Sequence, residues 1–387
     1  MDATAEQQLI AELTDLIERR TTAMAPEVRY EPARSYTDPG RHAAERALLF
    51  REYPLPVATS AEVRDPGAFT TSQIGDLPVL TVRGDDGVAR CLVNVCRHRG
   101  NVVCAEPSGN RRTFSCEYHA WSYDRAGRLR STVDREGFTG LDRDAHGLVE
   151  LPTEERHGIV WTLPTPGGAL DLTAHLGEAF GSEIADLDLA SFTLWDRVVM
   201  SQPFDWKCGV DTFLEVFHLA YLHKKTVGPY FVGNVGAYTG YGLHHRYSAV
   251  RNSFIEMAAG PAEERTVYPH SSLVHLVFPN TILTWQMDHI EMWRFYPGTG
   301  GDGTCTVEGL MLVPEPATTD SARRHWERNW RILLDTILDE DFATMERVQR
   351  NLRTGAVPEL AFGRNEIALQ HFHEGVHAEL RRNGVGP

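Results

Sequence analysis

Hydrophobic and polar positions alternate with different periods along the chain, and these periods predict its elements. Leucine and isoleucine recur at helical spacing over residues 5–24, which predicts an amphipathic helix. From about 47 to 165, short apolar and β-branched runs are separated by Gly, Asp and Pro, as in an all-β domain. Mixed elements are predicted beyond this point: a helix over about 206–224, aromatic-rich strands from about 265 to 313, and a long helix over about 321–353.

This order of elements predicts an α+β fold, in which a small all-β domain is inserted in a larger domain of antiparallel sheet and helices. A chain of 387 residues is long enough for two such domains. Residues 164–168 are rich in Pro and Gly and mark a boundary. We therefore place the all-β domain at 47–165, and the parts of the larger domain at 1–46 and 166–387.

The charge of the chain excludes several classes of partner. Its 53 acidic and 38 basic side chains give a net charge of -15, which does not attract nucleic acid or anionic lipid. No apolar run approaches the roughly 20 residues of a membrane span, and the acidic N-terminal segment lacks the pattern of a signal peptide. We expect a cytoplasmic protein with no membrane or nucleic-acid partner. Four of its six cysteines are expected as small core residues: Cys91, Cys104, Cys208 and Cys305.

Two Cys-His pairs in the β region carry the strongest chemical signal. Cys96 and His98 form the first pair, and Cys116 and His119 form the second, with seventeen residues between the pairs. Two thiolates and two imidazoles can hold a [2Fe-2S] cluster, with the cysteines on one iron and the histidines on the other. They can also hold a tetrahedral zinc ion. Because each pair is mixed, the order favours the cluster over a zinc finger, which places both cysteines in one pair.

A second candidate metal site lies in the predicted helix over 206–224. On a helix, Asp211, Glu215 and His218 project from one face, whereas His223 lies about 140° further round. His223 can therefore join His218 only if the helix ends or bulges between them. Two imidazoles with a carboxylate suit a non-haem Fe(II) site with open positions for O2. The alternative is a pair of buried, hydrogen-bonded histidines in an apolar helix.

A third ligand is expected from the acidic run in the long C-terminal helix. A helical projection places Asp341 within about 20° of Trp330, in the middle of the apolar stripe. A carboxylate at this position is costly unless it is paired or bound to a metal. Asp339 and Glu340 project towards faces that solvent can reach, so we expect them to be solvated.

The sequence also contains the string H-E-x-x-H at His373 to His377, which is typical of zinc proteases. Gly375 weakens the helix that would have to carry both histidines. Apolar residues at the same helical spacing favour a packed terminal helix instead, with the histidines beside its apolar stripe.

The residues around these sites resemble a known family. Cys96-Arg97-His98-Arg99-Gly100 and the segment from Cys116 to Tyr123 resemble the Rieske domain of ring-hydroxylating oxygenases. The acid-x2-His-x4-His string, preceded by Trp-Lys-x3-acid, resembles the family's iron motif, and Asp341, Glu346 and Gln349 match its acid-x4-Glu-x2-Gln pattern. Over nearly its full length the chain resembles the catalytic α subunit of Rieske non-haem iron oxygenases.

The resemblance implies a ligand set and an assembly. It implies that Cys96, His98, Cys116 and His119 hold a [2Fe-2S] cluster, and that His218, His223 and Asp341 hold Fe(II). It further implies a homotrimer, with or without a β subunit, in which Glu215 bridges His218 and His119 of a neighbouring subunit. The family usually has Asp where this chain has Glu215, and many members have Asn at the position of Thr212.

The implied activity is an oxygenase reaction. Electrons from a separate ferredoxin or flavin reductase would activate O2 at the Fe(II), for hydroxylation or cis-dihydroxylation of an aromatic or other hydrophobic small molecule. The alternatives are oxidation of a quaternary ammonium compound or N- or O-demethylation, and an electron carrier without oxygenase activity. The predicted strands supply a pocket lining without individual roles: Phe278, Ile282, Leu283, Trp285, Met287, Met292, Trp293 and Phe295.

Overall fold

The computed structural model of the chain describes residues 1–300 and 303–385. Its α-helices are α1 (Ala3–Glu18), α2 (Pro39–Leu48), α3 (Leu172–Ala185, interrupted at Gly177), α4 (Trp206–Asp211), α5 (Ser253–Ala259), α6 (Asp320–Leu334), α7 (Ala343–Leu352) and α8 (Ile367–Arg382). A π-helical segment, Asp335–Phe342, joins α6 to α7. The 3₁₀ turns are Ala33–Tyr36, Asp144–His146, Leu189–Ser191, Phe217–Ala220, Gly228–Tyr230, Ala262–Glu264 and Tyr268–His270. Within the described residues, no helix is long and apolar enough to cross a membrane.

The described residues also form the strands of five sheets. The strands are β1 (Arg29–Pro32), β2 (Leu55–Thr59), β3 (Ala68–Ile74), β4 (Leu77–Arg83), β5 (Ala89–Val93), β6 (Ser108–Asn110), β7 (Thr113–Ser115), β8 (Ser122–Asp124), β9 (Leu129–Ser131), β10 (Glu150–Leu151), β11 (Thr153–Arg156), β12 (Ile159–Thr162), β13 (Thr193–Gln202), β14 (Phe231–Tyr241), β15 (His244–Arg251), β16 (Ser271–Val277), β17 (Thr281–Gln286), β18 (His289–Pro297), β19 (Cys305–Val313) and β20 (Glu359–Phe362).

One compact unit is built from three small sheets. It comprises residues 49–175 and 188–191, where the sequence analysis places the all-β domain at 47–165. Its strand orders are β10-β5-β4-β3-β6, β11-β12-β2 and β7-β8-β9. Alternation along these short strands directs one face inward. The resulting core includes Phe69, Leu80, Leu92, Phe114 and Trp121 together with Cys96 and Cys116.

The other compact unit is built around a seven-stranded antiparallel sheet of order β13-β19-β18-β17-β16-β15-β14. It comprises residues 1–48, 176–187 and 192–387. Leu9, Ile10 and Leu13 of α1 pack with buried residues of this unit, as their helical spacing predicts. The α+β architecture and the insertion of an all-β unit in the sequence of the larger one agree with the sequence prediction.

The predicted helix over 206–224 is wrong in its extent, because α4 ends at Asp211. In a continuous helix the backbone N–H of His218 would donate to the carbonyl of Leu214. It instead donates to the side chain of Glu215, at 3.1 Å from Oε2. Such local side-chain bonds compete with helix propagation. A 3₁₀ turn, Phe217–Ala220, therefore replaces the helix where the two histidines must converge.

The long C-terminal helix is present, but its middle section is π-helical. A π turn closes at the fifth residue instead of the fourth, so later positions rotate relative to an α-helical projection. Phe342 at the end of this section is buried against Phe204, Trp293 and Phe295. This aromatic contact fixes the segment beside the sheet.

A buried ion-pair network holds α4 in place. Lys207 is fully buried, with Nζ at 2.6 Å from Glu45 Oε2 and 2.8 Å from Asp205 Oδ1. Gln349 of α7 accepts a hydrogen bond from the Asp205 backbone at 2.9 Å. Gly209 lets α4 approach the sheet, since a Cβ there would overlap the ring of Phe295. The start of the histidine-bearing segment is thus fixed on several sides.

We expect Lys207→Met to destabilise the protein by about 3–5 kcal/mol, because it removes from two buried carboxylates a shared cation that their remaining contacts with Arg41 and His42 do not replace. Urea unfolding of the metal-loaded protein measures this difference. Lys224→Met is the matched control, since Lys224 is exposed and its replacement is expected to change stability by less than about 0.5 kcal/mol. Equal midpoints for the two variants would contradict the assigned role of Lys207.

Candidate metal centres

The two Cys-His pairs lie on two loops with the same backbone geometry. Cys96 N donates to Asn101 O at 2.8 Å, and Gly100 N donates to Cys96 O at 2.9 Å. In the second loop, Cys116 N donates to the Trp121 backbone at 2.9 Å, and Ala120 N donates to Cys116 O at 2.8 Å. Gly100 and Ala120 occupy equivalent positions with φ of 74° and 54°. Both loops therefore reverse direction tightly and present one thiol and one imidazole each.

The four side chains converge at the tips of these loops. Both cysteines are buried, and the rings of His98 and His119 lie 4.6 Å apart between centroids. Trp121 stacks on His98 at 4.9 Å, which fixes the orientation of that ring. His98 Nδ1 is buried without a hydrogen-bond partner. This nitrogen is therefore available to bind a metal ion.

Hydrogen-bond donors surround the two sulfur atoms. Tyr123 Oη lies 3.4 Å from Cys96 Sγ, and Asn101 Nδ2 lies 3.7 Å from Cys116 Sγ. Burial raises the pKa of Cys116, but hydrogen bonds from the Tyr118 backbone and from Asn101 lower it by more. The loop thus favours a thiolate, which is the form that binds metal. Two thiolates and two imidazoles on these loops fit a Rieske [2Fe-2S] cluster.

His218, His223 and Asp341 form a second cluster. Within residues 1–300 and 303–385, it is the one group of three or more His, Cys, Asp or Glu residues whose ligand atoms all lie within 4.8 Å of one another. Asp341 Oδ1 is 3.1 Å from His223 Nε2 and 3.7 Å from His218 Nε2. Ligands about 2.1 Å from one ion lie roughly 3 Å apart at neighbouring positions, so this spacing fits a mononuclear metal.

Each histidine contacts a carboxylate through its other nitrogen. His218 Nδ1 hydrogen-bonds Glu215 Oε1, and His223 Nδ1 lies 2.6 Å from Glu340 Oε2. An ionised carboxylate only accepts, so each Nδ1 must carry its proton and each Nε2 is left free to bind metal. Burial lowers the pKa of His223, but the hydrogen bond and charge of Asp341 raise it by more. The site therefore favours a positive charge, which a metal ion supplies.

The structure corrects the expectation that Glu340 is solvated. Its carboxylate accepts hydrogen bonds from both His223 and the hydroxyl of Thr226, the latter at 2.6 Å. Glu340 lies in the π-helical segment Asp335–Phe342, and these two contacts hold its carboxylate beside the metal-site histidine. Asp339 is exposed and Asp341 is buried, both as expected.

Asp211 lies outside the metal cluster. Its carboxylate accepts a hydrogen bond from Tyr36 Oη at 2.7 Å and lies 2.9 Å from His373 Nε2. Because α4 ends at this residue, Asp211 does not share a helical face with Glu215 and His218. The sequence offered no signal for this long-range contact, since the partners are more than 160 residues from Asp211.

The H-E-x-x-H histidines are buried in α8 and pair with a carboxylate of β1. His377 Nε2 lies 2.8 Å from Glu31 Oε1, and His373 Nδ1 lies 3.7 Å from the same atom. These histidines lie inside the packed core instead of beside the apolar stripe of the helix. Arg41 Nη1 contacts His377 Nδ1 at 3.2 Å. The string therefore belongs to a buried polar network that ties both ends of the chain together.

A cavity of 470 Å³ adjoins the second cluster, and His218, His223 and Asp341 lie in its wall. This volume suits a small organic molecule. Of the aromatic and apolar residues expected to line the pocket, Met287 does so. Phe278, Trp293 and Phe295 are instead fully buried in the sheet core. Whether a residue lines the cavity depends on which face of its strand it occupies. The sequence pattern alone does not identify the face that is buried in the core.

We expect Glu340→Gln to weaken Fe(II) binding by about 10-fold, because second-shell carboxylates of ligating histidines contribute about 10–100-fold in affinity. Chelator competition on the loaded protein measures the change, and the absorbance of the cluster serves as an internal reference. Asp339→Asn removes the same charge from an exposed position of the same segment and is the control. Equal Fe(II) affinities of the two variants would show that Glu340 does not support His223 as a metal ligand.

Two family models match separate parts of the chain. The family model described as the Rieske [2Fe-2S] domain matches residues 53–138, and that described as the ring hydroxylating alpha subunit (catalytic domain) matches residues 189–381. The chain is 31% identical over 173 residues to the biphenyl 2,3-dioxygenase subunit alpha of Rhodococcus jostii (strain RHA1), which is 44% of this chain and 35% of that protein. It is 31% identical over 198 residues to the carnitine monooxygenase oxygenase subunit of Escherichia coli (strain K12), or 50% and 51% of the two chains.

The chain thus aligns with about a third and about half of the lengths of these two relatives. The fold is similar to that of a quaternary ammonium Rieske monooxygenase in complex with an inhibitor, with a TM-score of 0.75. That match covers 91% of this chain and 96% of the other, at 20% sequence identity. At this identity the likeness bears on the fold alone.

Proposed function

Since this chain belongs to the Rieske non-haem iron oxygenase family, as an α (catalytic) subunit, we propose that it uses O2 and electrons from a separate protein to hydroxylate or cis-dihydroxylate an aromatic or other hydrophobic small molecule. In this proposal residues 47–165 form the cluster domain, and 1–46 with 166–387 form the catalytic domain. The observation that carries the proposal is the cluster of His218, His223 and Asp341 in the wall of a cavity large enough for a substrate.

The residues divide the work between two sites. Cys96, His98, Cys116 and His119 would hold the [2Fe-2S] cluster, and His218, His223 and Asp341 would hold Fe(II). When bound, the cluster supplies single electrons and the Fe(II) activates O2. Three protein ligands would leave coordination positions for other ligands, and all three residues line the cavity.

Glu215 and Glu340 are positioning residues in this mechanism. Each keeps a proton on Nδ1 of its histidine and orients the ring, so that Nε2 is free to bind a metal ion. Apolar side chains around the site, including Val216, Leu219 and Ile337, limit the access of water to it. The buried network around Lys207 holds the segment that carries these groups.

We further propose that electrons enter from a ferredoxin or a flavin reductase and pass between subunits of a homotrimer, with or without a β subunit. The exposure of His119 and of Tyr118 beside it supports such docking, because these side chains are free to meet another protein surface. In this assembly Glu215 would bridge His218 and His119 of the next subunit. Glu has one methylene more than Asp, so its carboxylate can reach further.

A second candidate reaction is monooxygenation of a quaternary ammonium compound. The similarity to the carnitine monooxygenase oxygenase subunit favours it, as does the presence of Phe213 and Tyr230 in the cavity wall. Aromatic faces attract such cations. The aromatic reaction remains our first proposal.

The test begins with the metal content of the anaerobically purified chain. We expect about three irons per chain, two in the cluster and one mononuclear. Oxygen from isotopically labelled O2 should then appear in a product when the chemically reduced protein meets O2 and substrate. The number of oxygen atoms gained distinguishes monooxygenation from dioxygenation. About two irons per chain and no O2 consumption would identify an electron carrier and overturn the proposal.

A further inference from the structure

The charged residues of the cavity wall differ in how well their charges are compensated by neighbouring residues. Four carboxylates line the cavity, of which Glu215 and Asp341 belong to the metal site, and the other two are Asp288 and Glu291. Two arginines, Arg251 and Arg328, line it as well. Which of these charges is compensated within the protein decides what kind of ligand the cavity can hold.

Asp288 and Glu291 are already engaged by histidines. Asp288 Oδ1 lies 3.0 Å from His289 Nδ1, and its Oδ2 lies 2.8 Å from His325 Nε2. Glu291 Oε1 lies 3.4 Å from His289 Nε2. Burial lowers the pKa of His289, but these hydrogen bonds raise it by more, to about 9. His289 is therefore protonated at neutral pH and balances part of the negative charge on this wall.

Among the described residues, no carboxylate lies within ion-pair distance of Arg251. Its Nη2 donates to the neutral side chain of Gln286 at 2.6 Å, and its guanidinium carbon lies 4.7 Å from the centre of the Phe231 ring. Its Nε is buried without a hydrogen-bond partner. Burial lowers the pKa of Arg251, and the charges of Glu291 and Asp288 only partly offset this. The guanidinium is thus a largely desolvated cation whose direct contacts, Gln286 and Phe231, are neutral and whose charge is only partly compensated by the more distant carboxylates.

Neighbouring positions of the sheet add polar groups to this end of the cavity. Gln286 and Thr284 are two residues apart on β17 and therefore point to the same face. Thr284 Oγ1 is buried without a partner, and the Gln286 amide nitrogen can donate while its oxygen accepts from Arg251. Apolar side chains line the same cavity as well, among them Phe213, Leu219, Val274 and Ile337.

We infer that the substrate is an organic acid, whose carboxylate binds Arg251 and Gln286 and whose apolar body extends along the cavity towards His218, His223 and Asp341. The planar guanidinium fork matches a carboxylate in geometry and charge. A quaternary ammonium group without an acid function would be repelled at this end, because the face of Phe231 is covered by the Arg251 cation. This inference rests on the proposed oxygenase function.

Calorimetric titration of the anaerobic, metal-loaded protein tests the inference with three probes of the same ring size. They are 2-naphthoate, its neutral analogue 2-naphthamide, and trimethyl(2-naphthyl)ammonium. We expect 2-naphthoate to bind at least about ten-fold more tightly than the other two, a difference of about 1.4 kcal/mol. Arg251→Gln should remove this preference, and Arg251→Lys should keep part of it. Arg328→Gln is the matched control, since Arg328 is an exposed cation of the same wall, and it should leave the preference intact.

The comparison among probes in the unaltered protein needs no variant, so the test stands even if Arg251→Gln does not fold. Equal binding of acid and amide, preferential binding of the ammonium probe, or absence of binding by 2-naphthoate would overturn the inference. Failure of the oxygenase proposal can be distinguished from failure of this inference. Arg251-dependent binding of the acid without O2 consumption would support the anion site and contradict the oxygenase function. Oxygenation of neutral hydrocarbons with no preference for acids would support the oxygenase function and contradict the anion site.

Discussion

Replacing Asp341 by Asn is expected to abolish oxygenation and to lower the iron content from about three to about two per chain, with the cluster retained. The carboxylate lies 3.1 Å from His223 Nε2 and is buried, so its loss removes the one anionic ligand of the proposed site. A carboxamide oxygen is a neutral and weaker ligand for a divalent ion. Turnover should fall by more than about 100-fold, since even second-shell changes cost about 10–100-fold.

Iron analysis combined with electron paramagnetic resonance of the reduced cluster measures this effect. Asp339→Asn is the control, because it removes an exposed carboxylate two residues away and should leave about three irons per chain. Retention of the mononuclear iron in the Asp341 variant would mean that another residue supplies the third ligand.

Replacing Glu215 by Gln is expected to slow turnover by about 10–100-fold while both metals stay bound. Glu215 accepts hydrogen bonds from the ring and from the backbone N–H of His218. The amide removes the negative charge that keeps the proton on Nδ1, and one of its two polar groups can no longer accept a hydrogen bond. In the proposed trimer, the same change weakens the link to His119 of the next subunit.

Single-turnover reoxidation of the chemically reduced cluster measures this step without a reductase partner. Glu366→Gln is a suitable control, because Glu366 is a carboxylate near Glu215. Burial raises its pKa most, and the charge of Glu215 raises it further. Its carboxylate accepts a hydrogen bond from the Gly363 backbone and not from His218. Loss of the cluster in the Glu215 variant would assign this residue to structure. An unchanged reoxidation rate would exclude the positioning role.

The two predictions separate the two ways in which a carboxylate can serve this site. Asp341 contributes charge and a ligand atom directly, so its loss should appear in the metal content. Glu215 acts through His218, so its loss should appear in the rate at full metal content. The readouts are independent, and a merely destabilised protein would change both together.

The cluster site was predictable because its information is local. Each Cys-His pair lies within a few residues of one loop, and the hydrogen bonds that shape each loop also span five or six residues. Asp341 was predictable for a related reason: helical periodicity placed a carboxylate in an apolar stripe, and burial there requires a partner. The structure brings Asp341 to the histidines as this argument anticipates.

Other parts of the site depend on contacts that no periodicity encodes. Asp211 pairs with Tyr36 and His373, residues far from it in sequence, and is not part of the metal cluster. Glu340 bonds to His223 and Thr226, which lie more than 110 residues before it in the sequence. Beyond the end of α4 at Asp211, the backbone N–H of His218 donates to the Glu215 side chain in place of a helical carbonyl.

The sequence by itself determined the class of the fold and the family, and it predicted the residues of both metal sites, because the spacing of candidate ligands and the alternation of apolar residues are written along the chain. Only the tertiary structure decided which carboxylates bond to the metal-site histidines, which residues line the cavity, and that Arg251 contacts a neutral amide there. These features depend on which residues of distant strands share one face, and that is fixed by strand register and packing.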